Sequence, residues 1–180
     1  MRTGIQPGSF DPPTLAHLVI AHTALRYHQL DQIIWSVSRR PLGKNRGRTS
    51  IEDRLVVLRT VAATHQWLTV EGTDARLIVD LAQGHDVVVM GADKWHQLHE
   101  ARFYGEDTKS KEVKAAMTEA LNRLPTCAVA PRNGLEVPPD MVLPVPPWVA
   151  QQSSSQAVGG STWMSLSAAR RSNLWSEQRR

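Results

Sequence analysis

Apolar positions along this chain follow two rhythms that take turns. Short apolar runs at 33–37, 68–70, 86–90 and 126–130 read as strands, the first rich in β-branched residues and buried on both faces, the third the most apolar. Thr3-Gly4-Ile5 is a shorter strand candidate of the same kind. Between the runs the apolar residues recur every three to four positions, the period of an amphipathic helix. One such helix starts at Thr14 and carries Leu15, Leu18, Val19, His22 and Leu25 on its predicted inner face. A second opens on Ser50-Ile51-Glu52-Asp53, which has the form of a capping box, with Ile51, Leu55, Leu58 and Ala62 inward. A third is expected after a Thr73 cap, with Leu77, Ile78 and Leu81, ending at Gly84. After Gly91-Ala92-Asp93 the pattern turns irregular up to Thr108. It becomes helical again over 110–124, with Val113, Met117, Ala120 and Leu124 inward and lysines outward.

Strands separated by helices predict an α/β fold: a doubly wound parallel sheet of five strands with helices on both faces. The chain reads as a single domain over 1–180, with room for a real core. Its tail departs from the rhythm. Residues 131–147 are proline-rich, with Met141-Val142-Leu143 a candidate edge strand, and 151–160 are Ser/Gln/Gly-rich and read as a mobile loop. The segment 131–160 is therefore expected to be irregular, and a C-terminal helix is expected from near Ser165.

The residues at the strand ends carry the candidate chemistry. In Gly8-Ser9-Phe10-Asp11-Pro12-Pro13-Thr14-Leu15-Ala16-His17, a glycine and a small hydroxyl residue let backbone N–H groups approach a phosphate. The prolines stiffen the turn, and the helix that follows aims its N-terminal N–H groups and positive dipole end at the same place. Thr14 and His17 are three apart, on one face of the first turn. Together they make an anion site containing a titratable group. The loop from Ser38 to Arg48 concentrates five cations (Arg39, Arg40, Lys44, Arg46 and Arg48) in eleven residues. Gly8, this basic loop and Gly91 each directly follow a predicted strand. In a parallel sheet that places all three on the rim where ligands bind.

Charge and composition narrow the classes. A formal charge of +4 favours an anionic partner without choosing between nucleotide, nucleic acid and acidic surface. The six tryptophans are not interleaved with the basic loop, which argues against a nucleic-acid platform. Trp35, Trp67 and Trp148 are expected in the core or at interfaces. The single cysteine, Cys127, excludes an internal disulfide and reads as a buried inert thiol. Neither a membrane-spanning stretch nor a signal region is evident, so a cytoplasmic protein is expected. Asp93, His96 and His99 are spread too widely around a helix to form a metal site, and no protein-held metal is expected.

The Gly8–His17 stretch closely resembles the signature of the nucleotidylyltransferase superfamily, through Gly8, Phe10, Asp11, Pro12, Thr14 and His17. Pro7 and Ala16 stand where many members have glycine. Pro41-Leu42-Gly43-Lys44 and Gly91-Ala92-Asp93 resemble segments of the nicotinate-mononucleotide adenylyltransferases in that superfamily. The resemblance implies the strand order 3-2-1-4-5, with the Gly8 loop at the point where the order reverses. It implies transfer of AMP from ATP to a phosphate on a small acceptor, nicotinate mononucleotide first, with Mg²⁺ carried mainly by the ATP phosphates. His17, Thr14 and Lys44 would then be catalytic. Gly8, Ser9, Phe10, Asp11, His17, Gly91 and Asp93 would hold the nucleotide, and Lys44, Arg46 and Trp95 would face the acceptor. The superfamily's closing Ser/Thr-and-Arg phosphate clamp has two competing stretches here. Ser165, Ser167 and Arg170 are preferred over Ser153-Ser154-Ser155, because charge-assisted bonds are the stronger ones. Thr14 in place of histidine is the variant seen in phosphopantetheine adenylyltransferases. Another phosphorylated acceptor, or a nucleotide- or RNA-binding protein that has lost catalysis, therefore stays open, as does a homo-oligomer.

Overall fold

The computed structural model describes residues 1–40, 49–132 and 134–152. The expected strand over residues 3–5 extends to Thr3–Pro7 (β1) and pairs in parallel with Gln32–Ser38 (β2), Ile5 lying beside Ile34. Leu68–Thr73 (β3) continues outward from β2. On the other side of β1 lie Val87–Gly91 (β4) and then Thr126–Ala130 (β5). The five strands form one all-parallel sheet in the order β3-β2-β1-β4-β5.

Burial on both faces explains the unbroken apolar runs. Along β4, Val87 and Val89 enter one core with Phe10, Trp35 and Leu58. Val88 and Met90 enter the other with Ile5, Leu98 and Cys127. Helices Leu15–Tyr27 (α1) and Ile51–Ala62 (α2) supply the first core. Ile78–Leu81 (α3), Ala92–Leu98 (α4) and Lys111–Asn122 (α5) supply the second. Ser50 caps α2 by accepting the Asp53 N–H at 3.1 Å, and its hydroxyl donates to the Asp53 carboxylate at 2.9 Å.

Four expectations need correction. The buried face of α1 is Ala16, Ile20, Ala21, Ala24 and Leu25, while Leu15 and His22 are exposed. Alanines let the helix lie close to the sheet, and Leu18 and Val19 flank that contact. Thr73 does not cap a helix: it is the last residue of β3, paired with Ser38, and α3 is a single turn starting at Ile78. The stretch after Gly91 is not irregular, since α4 begins at once and a 3₁₀ turn follows over Ala101–Phe103. The expected edge strand at 141–143 reduces to one parallel bridge, Val129 with Val142, with the Leu143 N–H donating to the Val129 carbonyl. The expected C-terminal helix and most of the Ser/Gln/Gly-rich loop lie outside the described residues. Among the described residues, no helix is long and apolar enough to cross a membrane.

Cys127 is buried on β5, and burial pushes its thiol from 9.0 up to about 11. A group that holds its proton more tightly when folded stabilises the fold fully below its unfolded pKa and loses that contribution as pH rises. Stability is therefore expected to fall between about pH 9 and 11 through this group. Alkylation at pH 8 should be slow in native protein and fast in urea, and a Cys127→Ala variant should flatten the alkaline decline. Fast labelling of the native protein at pH 8 would contradict the assignment.

Candidate active site

The parallel strands deliver their C-terminal ends to one rim, and the loop after β1 turns there under tight constraints. The Gly8 N–H donates to the Ser36 carbonyl at 3.0 Å, tying the loop to β2. A Cβ at Gly8 would lie 2.6 Å from the Phe10 ring, so only glycine fits beneath it. Phe10 has φ +45°, uncommon for a non-glycine residue, and its ring is fully buried. The ring sits 5.0 Å from the Trp35 ring and 4.9 Å from that of His17. Trp35 in turn donates its indole N–H to the buried Gln6 amide oxygen at 2.7 Å, which anchors the stack to β1.

Thr14 is the N-cap of α1, and its backbone N–H donates to His17 Nδ1 at 3.0 Å. Its hydroxyl lies 2.9 Å from the same nitrogen. Because Nδ1 accepts an N–H, the neutral ring carries its proton on Nε2. The helix terminus thus fixes both the orientation and the tautomer of His17, with its N–H donor on the side of the ring away from Thr14. The expected Thr14–His17 pairing is present.

Beside the loop opens a cleft of about 950 Å³ in empty volume, part of it in open solvent. Pro7, Gly8 and Ser9 form one wall, with Ser36 and Ser38 of β2 and Arg54 of α2. The opposite side is built from Arg76, Leu77 and Ile78, from Lys94, Gln97 and Leu98 of α4, and from Arg102, Phe103 and Tyr104. Four cations and no carboxylate line it among the described residues, so the cleft favours anions. Tyr104 is held by a 2.8 Å bond from its hydroxyl to the Leu98 carbonyl, and burial raises its pKa.

The remaining expected residues fall in three places. Asp11 is half-buried in the turn after Phe10. Gly91 ends β4 and caps α4, and the missing side chain makes room for the Asp93 carboxylate, whose oxygen is 3.6 Å from Arg132 Nε. Trp95 does not line the cleft. Lys94, Gln97 and Leu98 share the cleft-facing side of α4. Trp95 and His99, one turn apart, share the next side and meet edge to face at 4.6 Å beside Cys127 and Met141. The aromatic rings lining the cleft are Phe103 and Tyr104. Lys44, Arg46, Ser165, Ser167, Arg170 and the competing Ser153-Ser154-Ser155 lie outside the described residues.

Arg54, Arg76, Lys94, Arg102, Phe103 and Tyr104 went unseen in the sequence. A signal existed only for Arg54: a charge at the 51/54/55/58 spacing of an otherwise apolar helix face.

A sequence profile of the cytidylyltransferase-like family matches residues 5–156, from the first strand through the whole described rim. The chain belongs to the cytidylyltransferase-like family. Its relatives within and around this family include a phosphopantetheine adenylyltransferase of Chloroflexus aggregans, 49% identical over 63 residues, which are 35% of this chain and 37% of that protein. A probable nicotinate-nucleotide adenylyltransferase of Bradyrhizobium sp. (strain ORS 278) is 42% identical over 64 residues, 35% of this chain and 33% of that protein. Another from Methylorubrum extorquens (strain PA1) is 30% identical over 118 residues, 59% of this chain and 64% of that protein. The matched stretch thus spans about a third of the length of the first two relatives. In three dimensions the chain resembles the nicotinic acid mononucleotide adenylyltransferase of Plasmodium falciparum, a structure complexed with NaAD. The TM-score is 0.57 at 13% identity, covering 94% of this chain and 89% of that one. That likeness is one of fold, a parallel sheet that in this chain runs β3-β2-β1-β4-β5.

Proposed function

We propose that this protein transfers AMP from ATP to a phosphate of a small acceptor and releases pyrophosphate, with nicotinate mononucleotide as the acceptor. The observation that carries the reading is His17, its tautomer fixed by the cap of its own helix, in the first turn after the glycine loop of a cytidylyltransferase-like rim. In the transfer, an oxygen of the acceptor phosphate forms a bond to the α-phosphorus. The bond from that phosphorus to the oxygen bridging α and β breaks, and that oxygen leaves with pyrophosphate. No protein nucleophile is needed, so the protein's contribution is to position two anions and stabilise the charge that builds up.

The His17 Nε2–H donates to an α-phosphate oxygen, and Thr14 holds the ring for that bond. With the Gly8 N–H committed to Ser36, the N–H groups that follow it in the loop face the phosphates. Lys44 and Arg46 bring cations from the basic loop, and Ser165, Ser167 and Arg170 clamp the leaving pyrophosphate. Among the described residues, no three His, Cys, Asp or Glu side chains are grouped to hold a metal ion. A Mg²⁺ carried in on the triphosphate would supply neutralisation of the charge that builds on the leaving group. Cytoplasmic action on soluble nucleotides follows from the same reading.

Phe103 together with Arg76, Lys94 and Arg102 in the cleft lining supports an acceptor that combines a flat ring with negative charge. Phosphopantetheine is the second reading, favoured by Thr14 at the cap and by the relative from Chloroflexus aggregans. Pyrophosphate release with ATP and Mg²⁺ should be measured against nicotinate mononucleotide, nicotinamide mononucleotide, phosphopantetheine and flavin mononucleotide, with CTP as control donor. Release is expected with nicotinate mononucleotide and ATP. Release with phosphopantetheine alone would replace the acceptor, and silence across the panel with ATP still bound would overturn the transfer.

A further inference from the structure

Arg54 is a cation in a place where surface helices put leucine. It lies on the buried face of α2 between Leu55, Val57 and Leu58, and only 6% of it is exposed. Two of its guanidinium nitrogens reach main-chain oxygens: Nη1 donates to the Ser9 carbonyl at 2.7 Å, and Nε donates to the Ser50 carbonyl at 3.4 Å. Asp11 and Glu52 are the acids whose charge it feels, yet no ion pair forms with it among the described residues. Burying an arginine without a paired carboxylate is unfavourable unless its charge or its geometry has a use.

The geometry has one. Fixing the Ser9 carbonyl fixes the whole Ser9–Phe10 peptide plane, and in a trans peptide the Phe10 N–H points opposite to that carbonyl. This is the peptide that enters the φ +45° residue, where the chain has least support of its own. We infer that Arg54 is a positioning residue: through the Ser9 carbonyl it holds the Gly8–Phe10 turn in its phosphate-receiving form, and it places its charge in the wall of the cleft. The role in turnover rests on the adenylyl-transfer reading above; the role in holding the turn does not.

The test compares full-length wild type with Arg54→Lys and Arg54→Met. Lysine keeps the charge but lacks the fork that reaches two carbonyls. Hydrogen exchange of the Phe10 amide, measured without ligand, should speed up in both variants while exchange in β4 stays unchanged. With ATP, Mg²⁺ and the active acceptor, Arg54→Lys should lower kcat about tenfold with KM for ATP within about twofold. Arg54→Met should lower kcat about 10²-fold and also raise KM. Unchanged Phe10 exchange in Arg54→Lys, or kcat equal to wild type per folded molecule, would overturn the inference. If Arg54→Met does not fold, the lysine variant decides alone. If the wild type turns over no acceptor, the transfer reading fails, while Phe10 exchange still decides what Arg54 does.

Discussion

His17→Ala is expected to lower kcat by about 10²–10³-fold, the usual effect of deleting one preorganised donor to developing charge. KM for ATP should change far less. The asymmetry follows from how the ring is held. Its Nδ1 is committed to the Thr14 cap, so the ring is positioned before any substrate arrives, and its Nε2–H is one donor among many in the ground state. Only as negative charge grows around the α-phosphorus does a fixed donor there gain importance over water. The variant also takes the acceptor from the Thr14 N–H. That costs about 1 kcal/mol of stability, too little to unfold a domain of this size. Steady-state pyrophosphate release, with ATP affinity measured separately by thermal shift, checks both halves. A parallel loss in kcat and ATP affinity would assign His17 to ground-state binding, and unchanged turnover would remove it from the chemistry.

The sequence made the fold legible wherever burial on two faces forces a continuous apolar run. Residues 126–130 match β5 at both ends, and residues 86–90 match β4 within one residue. It failed where packing distance, rather than hydrophobicity, chose the face. Alanines 16, 21 and 24 bury α1 because they allow close approach to the sheet, and a search for large apolar side chains selects Leu15 and Leu18 instead. The site shows the same division. Thr14 and His17 were readable because one helical turn couples them and nothing distant intervenes. The side on which Trp95 lies was not readable, because a helix starting at Ala92 was not foreseen, and the start of a helix decides which residue faces which way. The far wall of the cleft, Arg102 to Tyr104, depends on how that helix ends. Arg54 meets Ser9 across 45 residues, a distance no local pattern spans.

Phe10→Ala should cost about 3–5 kcal/mol of stability, because the ring is fully buried and its removal leaves a cavity in the core. Part of that comes from its contact with Trp35, since aromatic pairs contribute about 0.5–1.5 kcal/mol beyond their buried area. Alanine would keep the φ +45° strain, so no relief offsets the cavity. Gly8→Ala by itself should cost about 1–3 kcal/mol, because its methyl would lie 2.6 Å from the same ring and force it to move. These two effects share one object and cannot add. With the ring gone, the Gly8 methyl enters the vacated space, so the double variant should be no less stable than Phe10→Ala alone. Urea unfolding of the four proteins measures the coupling. Additive costs would mean that the Phe10 ring is not what makes position 8 a glycine, and that the loop owes its shape to its other ties, the Gly8–Ser36 bond and the Arg54 grip on Ser9.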